Sequence, residues 1–444
     1  MANLRYAPDF RVEIKGQPVP AALRASISSV QYQTGLDGAD RVELSLVNEN
    51  LRWLDHELLT LDNPLALSMG YAPDSLQKIF IGEIVSQSPT FPGGGVPMLN
   101  VAAQDRRQRL QQGTQVRWFA IPIPKYGNMP IPDTVVASMV AMNNNLIPLF
   151  DPIGAALSVL LGGIEVAVAI KQDPKTLQSL IRKQAGESNL NFLQRIAQEN
   201  GWEMLMDYSG PQDGYQLRFM SPAEHLVPEV TLKYGQSLID FTPRITKVGQ
   251  VASVSVKIWI SSIKTEFTVR VSYDWEQRSL SVNISPGFGM PGKMNASPKV
   301  LEAECQKAET DEEKDGAQKS LNEAQNALDN NSVDRQDLML ADQPVNAKSA
   351  SRVLLSKLLA KLNQRLTGSG STIGDPRIQA GTVLRLEGLG QQFGGLYRVT
   401  SARHTLDSSG YRTSFDVRKE VWFESIPLLD QGAVKMLIPQ HQLS

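Results

Sequence analysis

Hydrophobic and polar positions alternate through much of residues 8–110. In "FRVEIKGQPV", Phe10, Val12 and Ile14 alternate with Arg11, Glu13 and Lys15 before a turn at Gly16. Successive strand side chains point to opposite faces, so this is the signature of a half-buried strand. "DRVELSLVN" repeats it, with Val42, Leu44 and Leu46 on one face and Arg41, Glu43 and Ser45 on the other. "PLALSMGY", "IFIGEIV" and "MLNVAAQD" follow, the last two separated by the Pro/Gly turn at 91–95. Short strands at this spacing predict an antiparallel barrel or sandwich.

The period changes at 176–206. Leu177, Leu180 and Ile181, then Leu190, Leu193, Ile196 and Ala197, follow the i, i+3, i+4 spacing of two amphipathic helices. Residues 187–191 supply polar caps for the second helix, and Gly201 ends it. "GWEMLMD" and "YQLRFMS" then read as strands around the turn "SGPQDG". Residues 228–283 return to strand pattern, most clearly in "VASVSVKIWI". By contrast, 285–345 is a loop followed by a Glu-, Lys-, Gln- and Ala-rich stretch with little to bury. Its acidic cluster "ETDEEKD" reads as a solvated face. From Asn346, Ala350, Leu354, Leu358, Leu362 and Leu366 form an i+4 stripe, predicting a helix stopped by Gly368.

The stretch 374–418 is rich in glycine, and "GLGQQFGG" invites comparison with a phosphate cradle. Such a cradle needs its glycines to leave a strand and open a helix whose N-terminus faces the phosphates. Here the spacing is wrong and a strand follows, in which Tyr397, Val399 and Ser401 alternate with Arg398, Thr400 and Ala402. A hairpin turn or bulge is therefore expected. After "DSSG", Tyr411, Thr413, Phe415 and Val417 alternate with Arg412, Ser414, Asp416 and Arg418. The parity places His404 on the polar side, as a solvated or interface histidine.

The chain has 444 residues, 41% hydrophobic and 20% charged, values of a multidomain globular protein. A net charge of −2 gives no reason to expect specific nucleic-acid binding. The N-terminus lacks an apolar export segment, so synthesis in the cytoplasm is expected. The apolar run at 153–170 is interrupted by Glu165 and flanked by prolines, and predicts a helix buried in protein with no stable membrane insertion. Its four histidines are dispersed, and the single cysteine, Cys305, has no disulfide partner in the chain. No metal site, cofactor or catalytic residue set is predicted. "DNNSVDRQDLML" carries Asp334 and Leu340 where a calcium loop needs glycine and glutamate. "GQSLI" lacks the second glycine of a nucleophile elbow.

Taken in order, these segments resemble the phage late control gene D proteins, the baseplate hubs of contractile tails. The 374–418 stretch is similar to the family's C-terminal signature. "GADRVELSLVN", "LALSMGY", "IFIGEIVSQSPTFP" and "LNVAAQD" are similar to its N-terminal barrel. "ESNLNFLQRIAQENGWEM" resembles its middle helix, and "LKYGQSLIDFTPR" with "GQVASVSVKIW" the entry to its second barrel. The resemblance implies a mainly β protein with α+β character: two tube-like antiparallel β-barrels, an α/β middle domain and helical insertions. The expected divisions are 1–112, a first barrel; 113–175, a connector with the apolar helix; 176–227, the middle domain; and 228–284, strands of the second barrel. Residues 285–345 form a polar insertion, 346–425 a helix and the rest of the second barrel, and 426–444 a tail.

The resemblance also implies a non-enzymatic homotrimer that adapts a hexameric tail tube to a trimeric central spike. Tube and spike proteins would be partners, with tape measure protein, other baseplate proteins and cargo as further contacts. Type VI secretion spike proteins carry the same hub at their N-terminus, so a spike-type secretion component, or a hub with a cell-wall hydrolase activity, is the alternative. Only about twenty residues follow Trp422 and Phe423, which implies a spike on a separate polypeptide. Arg398, Thr400, Arg412, Asp416 and Arg418 are the candidate tube or subunit interface, and the polar strand faces are expected to line a water-filled channel.

Overall fold

The structure is a computed structural model that describes residues 7–124, 127–152, 181–208, 214–245 and 366–420, the backbone of 251–260, 265–274, 279–287 and 336–339, and isolated positions at 154–180, 212, 363 and 365. It is mainly β and divides into two compact units, 1–245 with 366–444, and 246–365.

In the first unit, the N-terminal β module comprises β1 (Ala7–Ile14), β2 (Gln17–Pro18), β3 (Ile27–Gly35), β4 (Arg41–Val47), β5 (Pro64–Ala72), β6 (Gln77–Thr90) and β7 (Met98–Asp105), with the short helix α1 (Ala21–Ser26) before β3. These strands pair antiparallel in the order β3-β4-β7-β6-β5-β1-β2. The alternation sets the packing. Phe10, Val12 and Ile14 of β1 and Val42, Leu44 and Leu46 of β4 point into one apolar core with Leu67, Phe80 and Val101.

The C-terminal β module is assembled from distant pieces: β14 (Val230–Lys233), β15 (Leu238–Ile245), β20 (Leu366–Ile373), β21 (Val383–Glu387), β22 (Gly395–Asp407) and β23 (Gly410–Arg418). Their order is β14-β21-β22-β23-β20-β15, and the outer two, consecutive in sequence, meet where Tyr234 bridges Leu238. Its core contains Leu232, Leu384, Tyr397, Val399, Phe415 and Val417. The β14–β21 pair is parallel, a departure from the all-antiparallel expectation. Strand β22 serves both modules. Its first half pairs with β21, and its second half, from Ser401 to Leu406, pairs with β3. The two modules are thus one hydrogen-bonded sheet.

Between them lies an α/β module. Strands β8 (Gln115–Ile123), β9 (Gly127–Pro130) and β11 (Arg182–Glu187) form one small sheet, and β10 (Ile147–Phe150), β12 (Glu203–Asp207) and β13 (Gln216–Met220) another. Helices α2 (Asp133–Met142) and α3 (Asn189–Asn200) pack with them. Helix α3 follows the sequence pattern closely. The Ser188 hydroxyl caps Asn191 N at 3.2 Å, Leu190, Leu193, Ile196 and Ala197 are buried, and Gly201 ends it at φ +69°. The amphipathic segment before it stops short of Arg182, because Arg182–Glu187 is a strand on β8.

The second unit contains β16 (Val251–Ile260), β17 (Thr265–Asp274), β18 (Ser279–Gly287) and β19 (Gln336–Met339), in the order β18-β17-β16-β19. Most of the polar insertion and of the helix expected from Asn346 lies outside the described residues. That helix does not reach Gly368, since Leu366 and Gly368 belong to β20. The apolar segment 153–170 is also largely outside them. At its described positions, Gly154 N donates to Glu224 Oε1 at 2.6 Å and the buried Ser158 to Asn200 Oδ1 at 2.9 Å. Among the described residues, no helix is long and apolar enough to cross a membrane.

Candidate interaction surface

The seam between β22 and β3 carries a broad polar face. On β23, Arg412, Ser414 and Asp416 are exposed while Tyr411, Thr413, Phe415 and Val417 between them are buried. In register beside them on β22 stand Thr405, Arg403 and Ser401, then Gln31, Gln33 and Gly35 on β3, and Glu43 and Arg41 on β4. The row continues to Gln104 on β7. Side chains tie neighbouring strands together, one bond across the seam and one between β22 and β23. Arg403 Nη2 donates to Gln33 Oε1 at 3.1 Å and Ser401 Oγ to Asp416 Oδ2 at 2.7 Å. A shallow groove on this face is lined by Gln33, Gly370, Ser401, Arg403, Ser414 and Asp416. The face mixes cations and anions, offers hydroxyl and amide groups, and lacks large apolar side chains. It can be wetted without gripping a neutral or charged polymer strongly.

Of the five residues singled out from sequence, Arg412 and Asp416 belong to this face, and Thr400 is half-buried beside it, its hydroxyl donating to Asp416 O at 3.1 Å. Arg398 does not. It is fully buried, with Nε on Glu420 Oε2 at 2.9 Å and its two terminal nitrogens on the carbonyls of Gly381, Pro222 and His225, each at 2.9 Å. Arg418 is also turned inward, to Glu203 of β12 and to Glu420 Oε1 at 2.8 Å. These two arginines fasten the C-terminal β module to the α/β module.

His404 likewise departs from its expected solvated position. A bulge between Val399 and Ser401 inverts the alternation of β22, so that Ala402 and His404 point inward where simple parity has them outward. The fully buried imidazole donates from Nε2 to Ile378 O at 2.8 Å and accepts at Nδ1 from Tyr411 Oη at 2.9 Å. Burial pushes its pKa down to about 4, so it is neutral at pH 7.

The glycine-rich loop after β21 contains one short helical turn, α4 (Gly390–Phe393), where sequence predicts only a turn or bulge. Gly388 and Gly390 take φ of +81° and +74°, left-handed values that let the chain reverse between β21 and the antiparallel β22. The turn has a single helical revolution, with no cradle of the phosphate-binding kind.

The N-terminal β module has an equivalent inward arginine that sequence reasoning missed. Arg107 follows β7 in "QDRRQRL", on a short 3-10 helical stretch, Arg106–Gln111, capped by Asp105. It is buried, with Nη2 2.6 Å from Asp40 Oδ1 and 2.8 Å from Asp105 Oδ2, and Nη1 donates to Met204 O of β12 at 3.1 Å. Tyr208 Oη reaches Asp40 Oδ2 at 2.9 Å and Tyr32 Oη the same atom at 3.2 Å. Burial, with Asp105 beside it, pushes the Asp40 carboxyl up despite the guanidinium, and both tyrosines are raised by burial. A usable signal was present: an Asp two residues before an Arg at a strand end, where Asp105 Oδ1 accepts Arg107 N at 2.6 Å. Among the described residues no three His, Cys, Asp or Glu side chains gather as a metal site.

No family model and no curated protein matches this chain. Solved structures do. The 43 kDa tail protein of prophage MuSo2 from Shewanella oneidensis superposes with a TM-score of 0.55 at 9% identity, over 94% of this chain and 99% of that one. A tail protein from Neisseria meningitidis MC58 gives 0.52 at 10% identity, over 96% and 99%. This chain has the mainly β fold seen in those bacterial and prophage tail proteins.

Proposed function

We propose that this protein is a structural subunit of a contractile tail or tail-like injection particle, serving as the baseplate hub. It works as a homotrimer: three chains present six β modules to a hexameric tail tube and one threefold surface to a central spike. The observation that carries this reading is the seam at β22–β3, which makes two β modules of one chain into a single sheet with a continuous polar face. Two related modules per chain are what a threefold object needs to match a sixfold one. A polar, charge-balanced wall suits a channel through which protein or DNA passes, and Arg412 and Asp416 face it. The fold shared with two tail proteins supports the same role. The division into a first barrel, a middle domain and a discontinuous second barrel belongs to this proposal, as do contacts with tape measure protein, other baseplate proteins and cargo. The work of the protein is binding and alignment, and its destination is the baseplate of a virion or tail-like particle.

Native mass spectrometry of the purified chain tests the reading, with a trimer expected that captures the cognate tube and spike proteins encoded beside it. A stable monomer that binds neither would overturn it.

A further inference from the structure

The sheet β11-β8-β9 leaves an apolar face uncovered. Val116 and Trp118 of β8 are 80% and 70% exposed and stand opposite Ala185 and Lys183 of β11. On the other face of the same strand, beyond Phe119, Ile121 is 50% exposed. A strand with apolar residues bare on both faces and only two short neighbours gains little from folding by itself, which marks it for a partner. The face also carries a cation and, among its paired positions on β8 and β11, no carboxylate. Lys183, which stands opposite Trp118 on that same face, is exposed and is in no ion pair among the described residues.

The complementary surface is present on the N-terminal β module. In the loop between β4 and β5, Leu51 and Leu61 are 42% and 56% exposed, and Glu49, Asp55, Glu57 and Asp62 are exposed around them. Arg52 is the loop's one Lys or Arg, and it is turned to Ser26 Oγ and the Trp53 ring. None of the four carboxylates is in an ion pair among the described residues.

We infer that the Val116–Trp118 face of one copy docks on the acidic Leu51–Leu61 loop of the next copy. The occupant is a second copy of this chain because the two patches match in apolar character and oppose in charge, and such a contact gains both burial and electrostatic steering. The patches differ, so the contact is head-to-tail and propagates around a ring, which a twofold contact does not. The inference rests on the self-assembly in the proposed function and names the surfaces that make it.

Two full-length variants test it, Val116→Cys and Leu61→Cys, each in a Cys305→Ala background. Both positions are exposed, so folding is unaffected. Mixed under conditions of assembly and treated with a short bismaleimide, they are expected to give covalent dimers that neither gives alone. Trp118→Asp is expected to weaken self-association about tenfold or more, and added salt to weaken it further. Cross-linking of Val116→Cys with itself indicates a symmetric contact and overturns the inference. A trimer by mass that gives no mixed cross-link also overturns it while leaving the hub reading intact. A chain that is monomeric at every concentration overturns both.

Discussion

Arg107 and Arg398 each anchor one β module to the α/β module, yet they are buried among different partners. Arg107 faces two carboxylates, Asp40 and Asp105, with tyrosine hydroxyls from Tyr32 and Tyr208 closing the cluster. Arg398 faces one carboxylate, Glu420, and three backbone carbonyls. A carbonyl does not titrate, whereas a buried carboxylate does. The N-terminal anchor is therefore a charge cluster whose balance depends on protonation, and the C-terminal anchor is closer to a fixed hydrogen-bond socket. Substituting the arginines tests the distinction most directly.

Arg107→Ala is expected to have the largest effect. It strands two carboxylates without water, and breaking a buried pair costs about 3–5 kcal/mol, so thermal melting should drop sharply or the chain should fail to fold. Adding Asp40→Asn to that variant should recover part of the loss. Arg398→Ala comes next, toward the lower end of the same range, because Arg418 still reaches Glu420. If Arg398→Ala proves the more damaging, the three carbonyls matter more than the charge and the comparison reverses.

Acid provides the third test. His404 titrates near 4 in the fold and near 6.5 in the unfolded chain. Its contribution is present above pH 6.5 and is lost as pH falls toward 4, on the order of 3 kcal/mol in total. Asp40, whose pKa is raised by burial, acts with opposite sign: the folded state takes up its proton first and gains stability as pH falls. Denaturant unfolding at pH 7 and pH 4 should show the net loss, and His404→Gln should flatten it. The smallest effect belongs to the polar face. Arg412→Glu or Asp416→Lys should change melting by less than about 0.5 kcal/mol while altering the tube capture that the proposed function expects.

Much of the strand content was legible because one face of each strand is buried: β1, β4 and β23 keep the alternation written in their residues. Helix α3 was legible from its cap, its stripe and its glycine stop. The failures have physical causes. Parity arguments assume an unbroken ladder, and the bulge in β22 moved His404 inside. Parity also assumes that the outer face of a strand meets water. Arg398 has the polar parity, but the segment carrying Pro222 and His225 covers it. Leu366 extended a helical stripe by spacing alone, while its partners Ile245 and Lys419, far away in sequence, hold it in a strand. Arg107 was missed because its local signal, Asp105 two residues before it, says nothing of Asp40 and the Met204 carbonyl, which reach it from two other segments.

The pairing of β22 with β3 also bears on how the chain comes off the ribosome. Arg403 and Gln33, joined across that seam, are 370 residues apart. The edge of β3 therefore emerges early and waits, unpaired, until nearly the whole chain has been synthesised. Non-local pairing of this kind is slow, and an open edge is a template for the wrong strand. Nascent chains should consequently depend on a holding chaperone at that edge, and a transcript cut short before codon 395 should yield aggregate instead of a soluble half-protein.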